Sequence, residues 1–332
     1  MKIVFFEVQD WERELLKTAF PQSILVEDKL TAENAAHYAD TEVASCFIYS
    51  TFTKEALEKL PNLKLVSTRS TGFDHIDVTT AKEKNISVAN VPEYGSHTVA
   101  EHTFSLILAL TRKLYQSINQ AKQFDFDHRN IQGVDLYGKT LGIIGLGKIG
   151  INVLKMAKGF GMNVVVYTRT RDEKLAQELD FEYEEITDLL QKSDIVTLHL
   201  PYNEHTHHTI NRDNIVKMKK GSYLINTARG GLIDTEAIIL GLGIGILAGV
   251  GMDVLEEEKE LSEELEILTT DYHEKVDFKT LVLDHALMNH PKVIITPHNA
   301  FNSKEALDRI THTTIDNIKA FLEEKPINLV TV

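Results

Sequence analysis

The sequence predicts an α/β protein built from two doubly wound parallel-sheet domains, one inserted in the other. Three observations predict this fold class. A G-x-G-x-x-G motif stands at 145–150 between a strand pattern and a helix pattern. The residues before it show their own alternation of strands and helices, which is typical of a parallel sheet. A last helical pattern, at 303–323, follows the final strand and can return to the first domain.

The glycine motif has the context of a dinucleotide-binding turn. An apolar strand pattern at 141–144 precedes it, and helical apolar spacing at 149–160 follows it. Gly145 makes the tight turn, Gly147 lets the backbone approach a pyrophosphate, and Gly150 lets helix and strand pack closely. The helix N-terminus offers unpaired N–H groups and a positive dipole end to the phosphates. We therefore expect NAD or NADP as the cofactor.

The composition describes a globular protein of ordinary apolar content. The 332 residues suggest two domains, and the apolar share is 43%. A formal charge of −14 argues against nucleic acid or an anionic membrane as a partner. The single cysteine, Cys46, excludes an intramolecular disulfide and fits a reducing compartment. With a first strand beginning at Lys2 and no long apolar run, we expect a cytoplasmic protein.

The first hundred residues alternate between strand and helix patterns. Helices are predicted at 11–19 and 54–60, and strands at 2–7, 43–49, 63–68 and 86–89. A long apolar helix, predicted from 98 to 114, has little polar face, so we expect another domain or a second subunit to cover it.

From Lys139 the alternation restarts with six predicted strands, the number of a doubly wound dinucleotide-binding sheet. These strands are predicted at 141–144, 163–167, 195–198, 223–226, 247–251 and 293–296.

Side chains that can bind an anion or transfer a proton follow three of these strands. Arg229 follows the strand at 223–226, an acidic segment from Asp253 to Glu258 follows the next, and His298 follows the last. Open α/β sheets bind ligands at the carboxyl ends of their strands. A guanidinium can hold a carboxylate through two parallel hydrogen bonds, and an imidazolium can protonate a carbonyl. This set is what the reduction of a 2-keto acid requires.

Five motifs, in order, carry a family resemblance: GIIGLGKIG at 142–150, HLPYNEHTHHTIN at 199–211, INTARGGLIDTEA at 225–237, GVGMDVLEEE at 249–258 and ITPHNAF at 295–301. With them the chain resembles the D-isomer-specific 2-hydroxyacid dehydrogenase family over nearly its whole length. The resemblance implies a Rossmann dinucleotide-binding domain at 99–299, inserted in a flavodoxin-like substrate domain at 1–98 plus 300–332. Substrate would bind in the cleft between these domains.

The resemblance also assigns catalytic residues. The family's arginine falls on Arg229, its histidine on His298 and its glutamate on Glu258. Three glutamates run together here, so Glu256 and Glu257 remain alternatives for the acid. A carboxylate beside the imidazole would raise the pKa of the histidine.

The D-lactate dehydrogenases of the family share two further segments, LKLVSTRSTGFDHID at 63–77, with Arg69 ahead of its glycine turn, and NVPEYGSHTVAEHT at 90–103. By this likeness Thr71 and Gly72 would hold the substrate carboxylate through backbone N–H groups, and Tyr94 would line the substrate. The expected reaction interconverts pyruvate and D-lactate. Larger 2-keto acids remain open, as does a dinucleotide-sensing corepressor, a binding protein of the same fold. The resemblance further implies a homodimer supported by the helix at 98–114.

Cofactor contacts are implied along both halves of the dinucleotide site. They are Val99, Gly145, Gly147, Lys148, Ile149, Gly150, Thr168, Arg169, His199, Pro201, Thr206, Thr227, Ala228 and Asp253. Thr168 stands where NAD-binding members place an acid for the ribose hydroxyls. Because Arg169 and Arg171 follow it, both NAD and NADP remain possible.

Metal binding is not expected. His205, His207 and His208 are close in sequence, but no cysteine or acid beside them completes a tetrahedral ligand set.

Overall fold

The computed structural model describes residues 1–256 and 278–331. They form two compact units, Met1–Gly95 with Asn302–Val332, and Ser96–Phe301. Glu257 and Glu258 therefore lie outside the described residues.

The first unit holds a five-stranded parallel sheet. Its strands are β1 (Ile3–Phe5), β2 (Ile24–Leu25), β3 (Val43–Cys46), β4 (Leu65–Thr68) and β5 (Ser87–Ala89). Their order, β2-β1-β3-β4-β5, is the flavodoxin-like order. Strand β2 was not predicted, because two residues are too few to show the alternation that marks a strand in a sequence.

Helices cover both faces of this sheet. The helices of the first unit are α1 (Asp10–Ala19), α2 (Lys54–Glu58), α3 (Val78–Glu83) and α12 (Lys304–Leu322). Helices α1 and α12 pack on the face that buries Phe5 and Leu65, so the C-terminal helix joins the N-terminal sheet.

The second unit holds a seven-stranded parallel sheet in the order β12-β11-β10-β9-β6-β7-β8. The strands are β6 (Thr140–Ile144), β7 (Asn163–Tyr167), β8 (Glu182–Tyr183), β9 (Ile195–Leu198), β10 (Ser222–Asn226), β11 (Leu247–Met252) and β12 (Val293–Ile295). This is the Rossmann order with one strand added at the edge beyond β11. Six strands were predicted, and the one missed is again a two-residue strand, β8.

The helix predicted at 98–114 is two helices, α4 (Ser96–Thr111) and α5 (Leu114–Lys122). They are separated at Lys113, whose φ of 49° is left-handed. Phe104, Leu106 and Ile107 of α4 are buried in the core of the second unit. The chain's own sheet and the helix at Lys148–Gly159 therefore cover the apolar face for which another domain or a second subunit was expected.

The remaining helices of this unit connect its strands. They are α6 (Lys148–Gly159), α7 (Glu173–Leu179), α8 (Ile186–Lys192), α9 (Arg212–Ile215), α10 (Thr235–Gly243) and α11 (Phe278–Met288). Across the described ranges, none of the helices has both the length and the apolar character that crossing a membrane requires.

Candidate active site

The glycine turn between β6 and α6 has the backbone that a dinucleotide needs. Gly145 has a φ of 100°, and a Cβ there would lie 2.8 Å from the carbonyl carbon of His199. A Cβ on Gly150 would lie 2.3 Å from the oxygen of Gly145. Gly147 is the N-cap of α6 with open space beside it, and Lys148 and Ile149 form the first turn. The cradle fits a pyrophosphate approaching the helix N-terminus.

The loop after β9 packs against this turn. The N–H of His199 donates to the oxygen of Ile144 at 2.8 Å, and its Nε2 lies 3.0 Å from Thr197 Oγ1. Its Nδ1 is enclosed and has no hydrogen-bond partner within the described residues. Burial lowers the pKa of His199 to about 3, so its ring is neutral at physiological pH.

Two other predicted cofactor residues shape the same loop. The hydroxyl of Thr206 donates to the oxygen of Pro201 at 2.7 Å, which closes a short turn. On the neighbouring α4, the carbonyl of Val99 accepts a bond of 2.8 Å from Thr103 Oγ1. Thr103 in turn lies 2.9 Å from Thr227 Oγ1, at the end of β10.

Arg229 lies on a loop that is held by hydrogen bonds among its own residues. The side chain of the buried Asn226 donates to the oxygen of Arg229 at 2.8 Å and accepts from the N–H of Ala228 at 3.1 Å. The half-buried guanidinium donates to the oxygen of Ala228 at 2.7 Å. The loop backbone is therefore rigid, while the arginine side chain is partly exposed at the end of β10.

His298 occupies a left-handed backbone conformation with a φ of 48°. Non-glycine residues pay of order 1–3 kcal/mol there, and such strain clusters at functional sites. Hydrogen bonds to Asp253, which is 1% exposed, keep the backbone in this conformation. Its carbonyl accepts from the N–H of His298 at 2.8 Å, and its carboxylate accepts from the N–H groups of Asn299 and Ala300 at 3.0 and 2.8 Å.

Two more side chains complete this arrangement, and sequence reasoning did not find them. Thr296 Oγ1 donates to the Asp253 carboxylate at 2.5 Å, and His102 Nε2 of α4 lies 3.0 Å from the same hydroxyl. The carboxylate of Asp253, predicted to meet the cofactor, thus accepts three hydrogen bonds within the protein, and His102 Nε2 lies 3.5 Å from it.

The three strands that carry these residues are adjacent. Strand β11 pairs with β10 on one side and β12 on the other, all parallel. Arg229, Asp253 and His298 therefore follow neighbouring strands at one edge of the sheet, as predicted. Glu258, the predicted acid, lies beyond the described residues.

A second arrangement involves Glu256 and the histidine segment. Glu256 Oε1 lies 2.5 Å from His208 Nε2, and Oε2 accepts from the N–H and hydroxyl of Thr235 at 3.1 and 2.8 Å. The ring of His207 stacks on that of His208 and bonds Tyr202. These histidines thus brace the loop before α10. No cluster suited to a metal ion occurs in the ranges 1–256 and 278–331.

In the first unit, the predicted substrate residues lie on loops after β4 and β5. Thr71 Oγ1 donates to the oxygen of Val91 at 2.7 Å, and Asn90 Nδ2 donates to the oxygen of Thr71 at 2.8 Å. No acceptor in the described structure takes the N–H groups of Thr71 and Gly72. Tyr94 is half-buried, and its carbonyl accepts from Arg309 Nε at 2.6 Å.

Arg69, ahead of this turn, is not a surface group. It is 1% exposed, and its Nε lies 3.1 Å from Glu12 Oε2, an equally buried carboxylate. It also donates to the oxygens of Phe6 and Glu7 at 2.6 and 3.0 Å. Arg69 therefore supports the sheet, and its sequence position alone did not reveal this.

Comparison with known proteins identifies the family. The model of the D-isomer specific 2-hydroxyacid dehydrogenase NAD-binding domain matches residues 104–300. A 2-hydroxyacid dehydrogenase homolog of Zymomonas mobilis is 36% identical over 301 residues, covering 89% of this chain and 88% of that protein. An aromatic 2-oxoacid reductase of Clostridium sporogenes is 36% identical over 295 residues, covering 87% and 85%.

The fold is shared with solved members. A D-lactate dehydrogenase of Aquifex aeolicus, crystallised with NAD and lactic acid, superposes with a TM-score of 0.88 at 35% identity over 99% of both chains. The matched NAD-binding domain carries the glycine cradle, and the relatives are named as 2-hydroxyacid dehydrogenase homologs and 2-oxoacid reductases. The chain belongs to the D-isomer-specific 2-hydroxyacid dehydrogenase family.

Proposed function

We propose that this enzyme interconverts pyruvate and D-lactate, with Arg229, Glu258 and His298 as its catalytic residues. The observation that carries the proposal is the placement of Arg229 and His298 after β10 and β12, two strands of one parallel sheet separated only by β11. The likeness to the Aquifex aeolicus D-lactate dehydrogenase over the whole chain supports the substrate.

Arg229 would bind the substrate. A guanidinium presents two parallel N–H donors that match a carboxylate, and its rigid loop would fix the orientation of the adjacent carbonyl. The two adjacent N–H groups of Thr71 and Gly72 are proposed as further donors to the substrate carboxylate. Tyr94 is proposed to line the substrate site.

His298 would move the proton. In reduction its imidazolium gives a proton to the carbonyl oxygen, and in oxidation the neutral ring takes the proton from the hydroxyl. Glu258 would stabilise the imidazolium. The dinucleotide, when bound in the Gly145 cradle, supplies or accepts the hydride.

The cofactor contacts carried over from the family are proposed on the same grounds. Backbone groups of Gly145, Gly147, Lys148, Ile149 and Gly150 would face the pyrophosphate. The other contacts would come from Val99, Thr168, Arg169, His199, Pro201, Thr206, Thr227, Ala228 and Asp253.

The test compares wild type with His298→Gln in pyruvate reduction, followed by the loss of reduced-nicotinamide absorbance. Turnover should fall by at least a thousandfold, while cofactor affinity, measured by fluorescence quenching, changes by less than threefold. The exposed His205→Gln is the matched control. Near-normal turnover in His298→Gln would contradict the proton-transfer role.

A second candidate is a dehydrogenase of a larger D-2-hydroxy acid, favoured by the similarity to an aromatic 2-oxoacid reductase. Pyruvate and phenylpyruvate should be compared by kcat/KM. A higher value for phenylpyruvate would replace lactate as the product while leaving Arg229 and His298 in their roles. Dinucleotide binding without turnover on any 2-keto acid would favour a corepressor-like binding protein.

We further propose that the enzyme is a homodimer. Exposed apolar side chains gather in α5 and the segment after it, where Phe124 and Phe126 are 89% and 80% exposed. Patches of this kind mark interfaces. Light scattering should give twice the 37.5 kDa chain mass, and Phe124→Ser with Phe126→Ser should give the monomer. A cytoplasmic location is proposed with it, since Cys46 is a free thiol.

A further inference from the structure

The end of β7 carries two arginines, and their surroundings differ. In a doubly wound fold this strand end meets the adenosine ribose, where a carboxylate selects NAD by bonding the ribose hydroxyls and repelling a 2′-phosphate. Thr168 occupies that position here, followed by Arg169 and Arg171. The acid that would repel the phosphate is therefore replaced by a hydroxyl.

Arg171 contacts side chains of its own domain. Its Nη2 lies 2.6 Å from Glu185 Oε1, and its guanidinium carbon lies 5.7 Å from the centre of the Tyr183 ring. The Tyr183 hydroxyl accepts a bond of 2.9 Å from the N–H of Asp172. Arg171 thus ties the segment after β7 to β8 and α8, and Glu185 offsets its charge.

Arg169 differs from Arg171 in both exposure and pairing. Its side chain is exposed, and no carboxylate of the described ranges pairs with its guanidinium. The neighbouring acids have other partners. Asp172 caps α7 by accepting from the N–H groups of Lys174 and Leu175, and Glu184 pairs with Lys192.

Thr168 is half-buried beside it, and its hydroxyl has no intramolecular partner in the described structure. The strand end therefore presents an uncompensated guanidinium next to a free hydroxyl. Such a pair suits a phosphate monoester, because a guanidinium forms two parallel charge-assisted bonds with phosphate oxygens.

We propose that Arg169 and Thr168 form a 2′-phosphate site and that this enzyme prefers NADPH to NADH. The proposal rests on the dinucleotide-binding role of the domain and not on the identity of the 2-keto acid. Arg171 is a positioning residue, which holds the segment through Glu185 and Tyr183.

The experiment measures binding without substrate. NADPH and NADH are titrated into the full-length wild-type enzyme by fluorescence quenching, and 2′,5′-ADP and 5′-AMP by calorimetry. NADPH should bind at least tenfold more tightly than NADH, and 2′,5′-ADP more tightly than 5′-AMP. The preference should shrink as salt is raised, because the site is exposed.

Substitutions test which residues cause the preference for NADPH. Arg169→Gln should reduce the ratio of the NADH and NADPH dissociation constants to about one, and Thr168→Asp should reverse it. Retained NADH binding shows that each variant is folded. Equal or tighter binding of NADH by the wild type would overturn the proposal, and loss of the preference in Arg171→Gln but not in Arg169→Gln would overturn the assignment. Failure to reduce pyruvate would refute only the proposed substrate, since binding is read separately.

Discussion

The backbone N–H of His298 donates a hydrogen bond of 2.8 Å to the carbonyl oxygen of Asp253. The carboxylate of the same aspartate accepts from the N–H groups of Asn299 and Ala300, so one buried residue fixes the backbone at the histidine and at the two residues after it. These bonds maintain the left-handed backbone conformation of His298.

Thr296→Val tests this support. The change keeps the side-chain shape but removes the bond from the threonine hydroxyl to Asp253 Oδ1. Losing a hydrogen bond to a charged group costs about 1.5–3 kcal/mol of stability. We expect that loss in urea unfolding, together with a kcat reduced roughly tenfold, because small misplacements of a catalytic group slow the reaction.

Thr314→Val is the matched control for this substitution. Thr314 is buried where Thr296 is half-buried, and its hydroxyl has no partner within the described residues. The control should be as stable as wild type or more so. Equal loss of stability in both variants would contradict the role of Thr296.

Glu256→Gln and Glu258→Gln distinguish a structural glutamate from a catalytic one. Glu256 bonds His208 and Thr235, so its variant should unfold at lower urea while keeping most of its kcat. Glu258→Gln should instead lower kcat about a hundredfold, because it removes the carboxylate proposed to stabilise the imidazolium. A fall in kcat of that size in Glu256→Gln but not in Glu258→Gln would assign the catalytic acid to Glu256.

The low pKa of His199 predicts that the folded enzyme loses stability in acid. Its pKa is about 3 in the folded enzyme and 6.5 for a histidine in water, so the unfolded chain binds the proton first as the pH falls. The contribution of His199 to stability is complete above pH 6.5 and is lost as the pH falls toward 3. His199→Gln should therefore narrow the difference in unfolding free energy between pH 7 and pH 5. His205→Gln, at an exposed side chain, should leave that difference unchanged.

Arg69→Met should destabilise the first unit strongly. It leaves Glu12 buried without its cation, and breaking a buried pair costs about 3–5 kcal/mol. Burial already raises the pKa of Glu12 above 4.5, and Arg69 opposes that effect. The deficit should therefore shrink as the pH is lowered toward 4.5, where the carboxyl is protonated.

Glu12→Gln combined with Arg69→Met should recover part of the stability, since no charge then remains buried. A deficit in Arg69→Met that is the same at pH 8 and pH 4.5 would show that lost packing, and not the Glu12 charge, is the cause.

The amino-acid sequence by itself determined the fold class, since apolar strands, helical spacing and the glycine turn are local patterns that survive without coordinates. It also placed Arg229 and His298 at strand ends. Only the tertiary structure decided that Arg69 is a buried partner of Glu12, that α4 is covered by its own sheet, and that Asp253 and Thr296 hold the His298 backbone. These facts depend on contacts between residues far apart in the chain, and a local pattern carries no information about such partners.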